Sequence, residues 1–526
     1  MQGQINFLWG RTFLILLSMR KFNLFVIAAL MGSMTFTACT PEDNAVAPSA
    51  PSGELSGDID MFKTVKANEG DPAVVAALKS IPNVAEVKPF INVGRPKNEE
   101  TALGQCYYIK YKQPIDHDNP ALGTYEQQVV LTYVSPDAPT ILHTQGYALA
   151  GEHGINHNRL DSIDAPMFLY MLATDQNADG SFNFSTNCVQ VEYRYHGFSL
   201  PEGDENSFKY LSAKQQSADL HNIVTDLKKA LLKGKWLSTG VSKNGMTTYD
   251  YAYYYPGDVD VYVPFVAPLL FQDEDMRIGD YMITGSVKDY LPQIKAAFQK
   301  LVSDQKVLDA TAPYALKFYK EDKSFDVPAD SVLHYTVEFA YDNLFGKQSY
   351  GDIEAWSKFI PKEGDDPATY ALFFYLDEDD NRIYKSVSGT RGPLRKRDNP
   401  FEKQISVDQG NIGFNYSWVK EGTLLTDSDK KYFDDKEKSN KASKKTELSY
   451  LVKDFLKTTD CKMFFVYGEN DPWTGAAIDD PTNENVKKLV IKNGTHNDAI
   501  PTYTDDESKQ LMDFVKSILF PASATK

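Results

Sequence analysis

Basic side chains are in deficit. The 526 residues carry 55 Lys and Arg against 72 Asp and Glu, a formal net charge of −17. A chain that acidic lacks the basic patches a phosphate backbone requires, which argues against nucleic acid as a partner. No internal repeat is evident. Histidine is scarce, with 8 in all, and His496 alone follows His334. His153 and His157 are four apart, but Gly151 and Gly154 break any helix there and no HExxH is present, so no metal site is expected. Cysteine is sparse too. Apart from Cys39, only Cys106, Cys188 and Cys461 occur. One disulfide with a thiol left over, or three buried free thiols, are both open.

What is present is a core-forming composition, 42% hydrophobic and 13% aromatic. The first 39 residues read as a leader. Met19 opens a basic n-region (Arg20, Lys21), then an apolar stretch, then Phe36-Thr37-Ala38-Cys39, a lipobox-like end. Translation is expected to begin at Met19, with Cys39 the lipidated N-terminus of an exported protein, anchored to the cell envelope by several acyl chains. Residues 40–100 read as a Pro/Ser/Gly-rich tether and extension, with a helix-like stretch from Pro72 to Ser80. His117 and His196 show no partner in the sequence.

From Ala102 strands follow in succession: QCYYIKYKQPI, YEQQVVLTYV, PTILHTQGYA and NCVQVEYRYHG. LSAKQQSADLHNIVTDLKKALLKG is an amphipathic helix, with Ser212 and Gln215 at capping-box spacing. KWLSTG then runs into Val241-Ser242-Lys243-Asn244-Gly245. A serine between a strand and a helix, with glycine two residues before it, has the form of a nucleophile elbow. The turn forces the backbone into close approach, and the amide of Lys243 at the helix start can stabilise an oxyanion. The usual G-x-S-x-G is not met, because Asn244 stands where glycine is expected and Gly245 comes one place later.

DVDVYVPFVAPLL adds a strand. Residues 272–450 then break the alternation with helices (Val287 to Val302, Ser331 to Phe345) and a charged stretch, SDKKYFDDKEKSNKASKKTE. Alternation resumes in CKMFFVYGEND, VKKLVIKNGTHND and a closing helix. An antiparallel start followed by alternating strands and helices implies a mostly parallel sheet covered on both faces. With the elbow, this is the α/β-hydrolase fold. Its core is expected in residues 101–271 and 451–526, with a mainly helical cap, 272–450, inserted after the sixth core strand.

A nucleophilic serine needs a base and an orienting acid, which this fold supplies in the order Ser, acid, His on loops after late strands. Asp471 follows KMFFVYG and His496 follows KLVIK, which makes Ser242, Asp471 and His496 the expected triad. Glu469 and Asp498 are rival acids; Asp471 is preferred because it falls farther past the strand end. The second oxyanion donor is expected in HTQGYALAGEHG, from the amide of Gly146 or Tyr147.

VEYRYHGFSLPE, YLSAKQQSADLHNIV, GKWLSTGVSKNGMT and YYPGDVDVYVPFVAP, in that order, resemble the secreted bacterial tripeptidyl aminopeptidases, serine peptidases of α/β-hydrolase type. A more distant likeness is to the prolyl carboxypeptidase and dipeptidyl peptidase group. It extends from about Cys106 to the C-terminus and is weakest in the insertion. The family's elbow looks like GxSKGG, so Ser242 and Lys243 match and Asn244 departs; Asn tolerates positive φ, and the turn is expected to survive. The resemblance implies release of short peptides, tripeptides foremost, from free N-termini through an acyl-enzyme, without a cofactor. An esterase or lipase on the same fold, and a surface peptide-binding lipoprotein without chemistry, are the alternatives.

Overall fold

The computed structural model describes residues 66–92, 104–146, 182–201, 208–322, 325–351, 353–375, 400–404, 408–496 and 504–521, with isolated positions between 149 and 176. The leader with Cys39, most of the tether, and Tyr147, His153, His157 and Asp498 lie outside the described residues.

Among the described residues ten strands form one sheet. In chain order they are β1 Lys66–Ala67, β2 Val84–Asn92, β3 Gly104–Pro114, β4 Thr124–Thr132, β5 Thr140–Thr144, β6 Asn187–Val191, β7 Trp236–Val241, β8 Val261–Phe265, β9 Lys462–Gly468 and β10 Val486–Ile491. Their spatial order is β1-β2-β3-β4-β6-β5-β7-β8-β9-β10. Strands β1 to β4 run antiparallel and β4 pairs antiparallel with β6; every pairing from β6 through β5, β7, β8 and β9 to β10 is parallel. This is the doubly covered, mostly parallel sheet of an α/β-hydrolase. The extension contributes more than a tether: α1 (Pro72–Lys79) packs on the sheet and β2 pairs with β3 along its length. The core therefore starts before Ala102. In VAEVKPFIN only Val87 and Phe90 are buried, while Ala85 and Lys88 are exposed and Glu86 is half-buried, which mutes its apolar signal.

The period of two in the strands divides the core into layers. On β9, Met463, Phe465 and Tyr467 join the cluster that also holds α2 (Ala213–Ala230) and α3 (Lys243–Tyr254), while Phe464 and Val466 join the cluster closed by α13 (Asp505–Leu519). A strand buried on both faces reads as a continuous apolar run, as KMFFVYG does. Ser212 caps α2 by accepting from the Gln215 N–H, but the reciprocal half of the box is missing. The Gln215 amide is spent instead on the His117 N–H and the Asp116 carboxylate.

His117 and His196 do have partners. His117 Nε2 lies 2.7 Å from Asp219, and His196 Nδ1 lies 3.1 Å from the Arg194 carbonyl. Asp219, fully buried, also holds Arg194 bidentately at 2.7 and 2.9 Å and accepts from Tyr125. Cys106, Cys188 and Cys461 are all buried, and no disulfide joins them.

The insertion is helical: α4 Met276–Thr284, α5 Leu291–Leu301, α6 Gln305–Asp322, α7 Val332–Tyr350, α8 Ile353–Ser357, α9 Pro367–Tyr375, α10 Pro400–Gln404 and α11 Asp427–Lys441, before α12 Glu447–Thr458 leads back to β9. The charged stretch forms α11, started by a complete Thr426–Asp429 capping box. Phe298 centres the cap core, 4.6 to 5.8 Å from the rings of Tyr341, Phe374 and Trp418.

Candidate active site

Ser242 stands at the step from β7 to α3 with φ 58° and ψ −125°, a left-handed conformation rare for a residue with a Cβ. Its N–H donates to the Phe265 carbonyl at 2.9 Å and its own carbonyl accepts from Met246, which lock the strained turn against β8. The flanking glycines are required by space. A Cβ at Gly240 would lie 2.4 Å from the Asn244 carbonyl oxygen, and one at Gly245 would lie 2.8 Å from the Phe265 carbonyl oxygen and the Ala267 side chain. The second glycine of the pattern thus sits at 245 because there the helix meets β8.

Asn244 is helical and has no positive φ; the left-handed residue of the elbow is Ser242 itself. The reason Asn is accepted at 244 lies in its side chain, which is 5% exposed. Its Oδ1 accepts the Gly146 N–H, and its Nδ2 donates to Gln145 Oε1 at 3.2 Å. Lys243 Nζ donates to the Gly146 carbonyl and sits 4.2 Å from the centre of the Tyr193 ring. Two consecutive elbow side chains therefore grip both ends of the Gly146 residue. The Gly146 amide, expected as an oxyanion donor, is committed to Asn244. Lys243 is the first residue of α3, so its amide stands at the helix N-terminus as expected.

Asp471 and His496 meet. His496 Nδ1 lies 2.7 Å from Asp471 Oδ2, with the two side chains 1% and 0% exposed. A carboxylate only accepts, so Nδ1 carries the proton and Nε2 is the basic nitrogen. The other oxygen, Oδ1, accepts the Trp473 N–H at 3.1 Å, because Asp471 caps the 3-10 turn Pro472–Ala476. Glu469 is turned elsewhere: it pairs with Lys288 at 3.0 Å and accepts from Asn493 N–H, contacts that together hold its carboxyl below the usual range. Rings box the imidazole in. Tyr350 meets it edge-on at 5.2 Å, and Trp473 lies at 6.1 Å.

The sheet register puts these groups on one rim. Phe265 pairs with both Val241 and Val466, and Gly468 pairs with Ile491. Ser242 follows Val241 directly, while Asp471 and His496 lie a few residues past Gly468 and Ile491. The serine and the acid thus rise from strands two apart, about 10 Å in a sheet.

Two features were invisible in the sequence. Glu192, just past β6, is buried and accepts from the Leu149 N–H, the Phe198 N–H and Ser199 Oγ at 2.7 to 3.0 Å. Burial pushes its carboxyl up to about 7 despite those three donors. It thereby anchors the loop that follows Gly146. An acid continuing the apolar run of NCVQVEYRY was the only available signal. The other feature is the set of cap residues that bond to the acid and histidine loops, described below. Among the described residues no group of three or more His, Cys, Asp or Glu side chains could hold a metal ion, and no helix is long and apolar enough to cross a membrane.

Residues 96–315 match the family described as PS-10 peptidase S37. Over 398 residues the chain is 26% identical to a prolyl tri/tetrapeptidyl aminopeptidase from Streptomyces mobaraensis, an alignment spanning 72% of each protein. Among solved structures it is similar to a proline iminopeptidase from Mycobacterium smegmatis, at 13% identity over 78% of this chain and 99% of that one, with a TM-score of 0.35. A second is a protein titled a "putative lipase" from Acinetobacter baumannii, at 13% identity, 78% and 92% coverage and a TM-score of 0.29.

Proposed function

Because the chain is a serine-type peptidase whose first core segment matches the S37 family, we propose that Ser242, His496 and Asp471 are its triad and that it releases short peptides from free N-termini. Tripeptides are the foremost products. The single observation that carries the assignment is the buried 2.7 Å contact between His496 and Asp471 on the rim where the strained Ser242 opens.

In this reading Ser242 Oγ attacks the scissile carbonyl while His496 Nε2 takes its proton. Asp471 holds the Nδ1–H tautomer and stabilises the imidazolium. The imidazolium then gives its proton to the leaving amine, and water resolves the acyl-enzyme by the same route. The amide of Lys243 is one oxyanion donor. With the Gly146 N–H committed to Asn244, the second donor is assigned to the next amide, that of Tyr147. The leader sequence supports export and lipid anchoring at Cys39.

The test is a peptide-library digest read by mass spectrometry, with Ser242→Ala as control. The reading expects fragments released only from unblocked N-termini, and no cleavage by a folded Ser242→Ala protein. Unchanged cleavage by that variant, or equal cleavage of N-acetylated peptides, rejects it.

A further inference from the structure

The Asp471–His496 pair sits on two loops that the core ties chiefly to each other. Glu469 N–H donates to the Ile491 carbonyl and Asn470 N–H to the Gly494 carbonyl, at 2.9 and 2.7 Å, and Asn470 Nδ2 donates to the Asn493 carbonyl at 3.0 Å. These bonds join the loops to one another without fixing the pair relative to the elbow.

Apart from the Leu269 N–H, which donates to the Ala476 carbonyl at 2.7 Å, that fixing comes from the insertion. Tyr281 on α4 donates its hydroxyl to the Glu469 carbonyl at 2.7 Å. Ser286, just past α4, donates to the Asn470 carbonyl at 2.5 Å. These are the carbonyls of the two residues immediately before Asp471, so they set the peptide planes from which its carboxylate hangs. On the other loop, the His496 N–H donates to the Ser349 carbonyl at 2.8 Å, near the end of α7. The next residue, Tyr350, supplies the ring that meets the imidazole edge-on. Lastly, α4 runs so close to the acid loop that a Cβ at Gly475 would lie 2.4 Å from the Arg277 carbonyl oxygen.

We propose that the cap is part of the catalytic apparatus: Tyr281 and Ser286 are positioning residues that, with the Ser349 carbonyl, hold Asp471 and His496 in register with Ser242. The inference rests on the triad reading given above. A cap that only covered the cleft or selected peptides would need no bonds to the backbone just before the acid or at the histidine. With these bonds, chemistry depends on the docked cap even for a substrate too small to touch it. Displacement of α4 moves the acid loop, and displacement of the α7 terminus moves the histidine.

The test compares Tyr281→Phe, Ser286→Ala and the double variant with the parent on two substrates, a tripeptide nitroanilide and p-nitrophenyl acetate. Each single variant deletes one hydroxyl and keeps its packing. Thr284→Ala is the control, since its hydroxyl bonds only back to the Asp280 carbonyl on the exposed side of the same helix. The expected result is a fall in kcat of about tenfold per hydroxyl on both substrates, with KM nearly unchanged, matching the loss of one hydrogen bond. Labelling by a fluorophosphonate slows in parallel, and the ascending limb of the pH–rate profile moves to lower pH as the imidazolium loses its aligned carboxylate. Acetate turnover and labelling at parent rates in the double variant, whether or not peptide turnover falls, overturn the proposal. His496→Ala in the same assay separates this failure from that of the premise. If it is inactive while the double variant is normal, only the cap's role is refuted. If it keeps parent activity, the triad falls and the cap proposal with it.

Discussion

Asp471→Asn gives the sharpest test of the site, because the structure dictates how the substitution must orient. The carboxylate, itself fully buried, accepts twice, from His496 Nδ1 at 2.7 Å in a buried contact and from the Trp473 N–H at 3.1 Å in a half-buried one. Asparagine brings one oxygen and one NH2. Turning the NH2 toward Trp473 would set two donors face to face in a dry site, at a cost of about 1–3 kcal/mol. The favoured orientation keeps the oxygen on Trp473 and points the NH2 at the imidazole. Nδ1 must then accept, the proton moves to Nε2, and the nitrogen that should take the serine proton is already occupied. Loss of the correct tautomer lowers turnover by about 10⁴-fold in such triads, close to 5 kcal/mol of barrier. The assay is kcat on a tripeptide nitroanilide, with thermal unfolding to verify the fold and Glu469→Gln beside it as an acid not bonded to the imidazole. Expected is a drop of about four orders of magnitude for the first and less than a factor of two for the second. Turnover of Asp471→Asn within tenfold of the parent would refute the reasoning, as would a larger loss from Glu469→Gln.

Two further predictions concern the frame. Asp219→Asn strips the carboxylate from a buried guanidinium that is otherwise met by carbonyls of Ile115, Tyr210 and Pro114, and should destabilise by about 3–5 kcal/mol in urea unfolding; a loss below 1 kcal/mol would mean water or a shifted partner rescues Arg194. Glu192 keeps its proton in the fold up to about 7, whereas a free glutamate releases it near 4.5, so its contribution to stability is present below about 4.5 and is lost as pH rises toward 7. Glu192→Gln should flatten that slope, and the parent-minus-variant difference in unfolding free energy between pH 4.5 and pH 8 should be about 3 kcal/mol. A difference that does not vary with pH would show that the three donors keep the group ionised.

The sequence made legible what depends on neighbours in the chain. Ser242 announces itself through Gly240 and the flanking strand and helix. Asp471 and His496 each stand just beyond a short apolar run, and the strand order then delivers them to one rim. What stayed hidden are contacts whose partners lie far away in sequence. No spacing rule connects Tyr281 with the Glu469 carbonyl, or His117 with Asp219. Gly146 was a reasonable oxyanion donor on loop position alone, but Asn244 takes its N–H. The sequence pattern suggests a left-handed backbone at that same residue, whereas it belongs to Ser242. The motif departure at 244 thus marked a real difference, whose meaning was a side-chain bond rather than a dihedral.

The insertion explains how one chain can separate its nucleophile from its acid and base by more than 200 residues and still bring them together. Immediately after β8 the chain leaves the sheet through Val266, held at φ 40°, an unfavourable conformation for a β-branched residue. Its N–H is caught by the Val466 carbonyl at 2.7 Å, and the Ala267 carbonyl accepts from the Tyr467 hydroxyl at 3.0 Å, so the exit is fastened to the strand that brings the acid. The return is fastened to the exit as well. Asp273 N–H donates to Lys444, Thr446 N–H donates to Phe271, and Glu274–Asp275 pair in parallel with Asn411–Ile412. For a flexible closed loop each doubling of length adds only about 0.6 kcal/mol of closure entropy, so an excursion of about 180 residues costs little more than a short one once its ends are joined. The parallel ladder between β8 and β9 then needs only to be continued across the gap. A cap entering and leaving at this point necessarily lies beside the acid loop, which is where Tyr281 and Ser286 find their carbonyls. The location of the insertion and its bonding to the acid loop follow from the same topology.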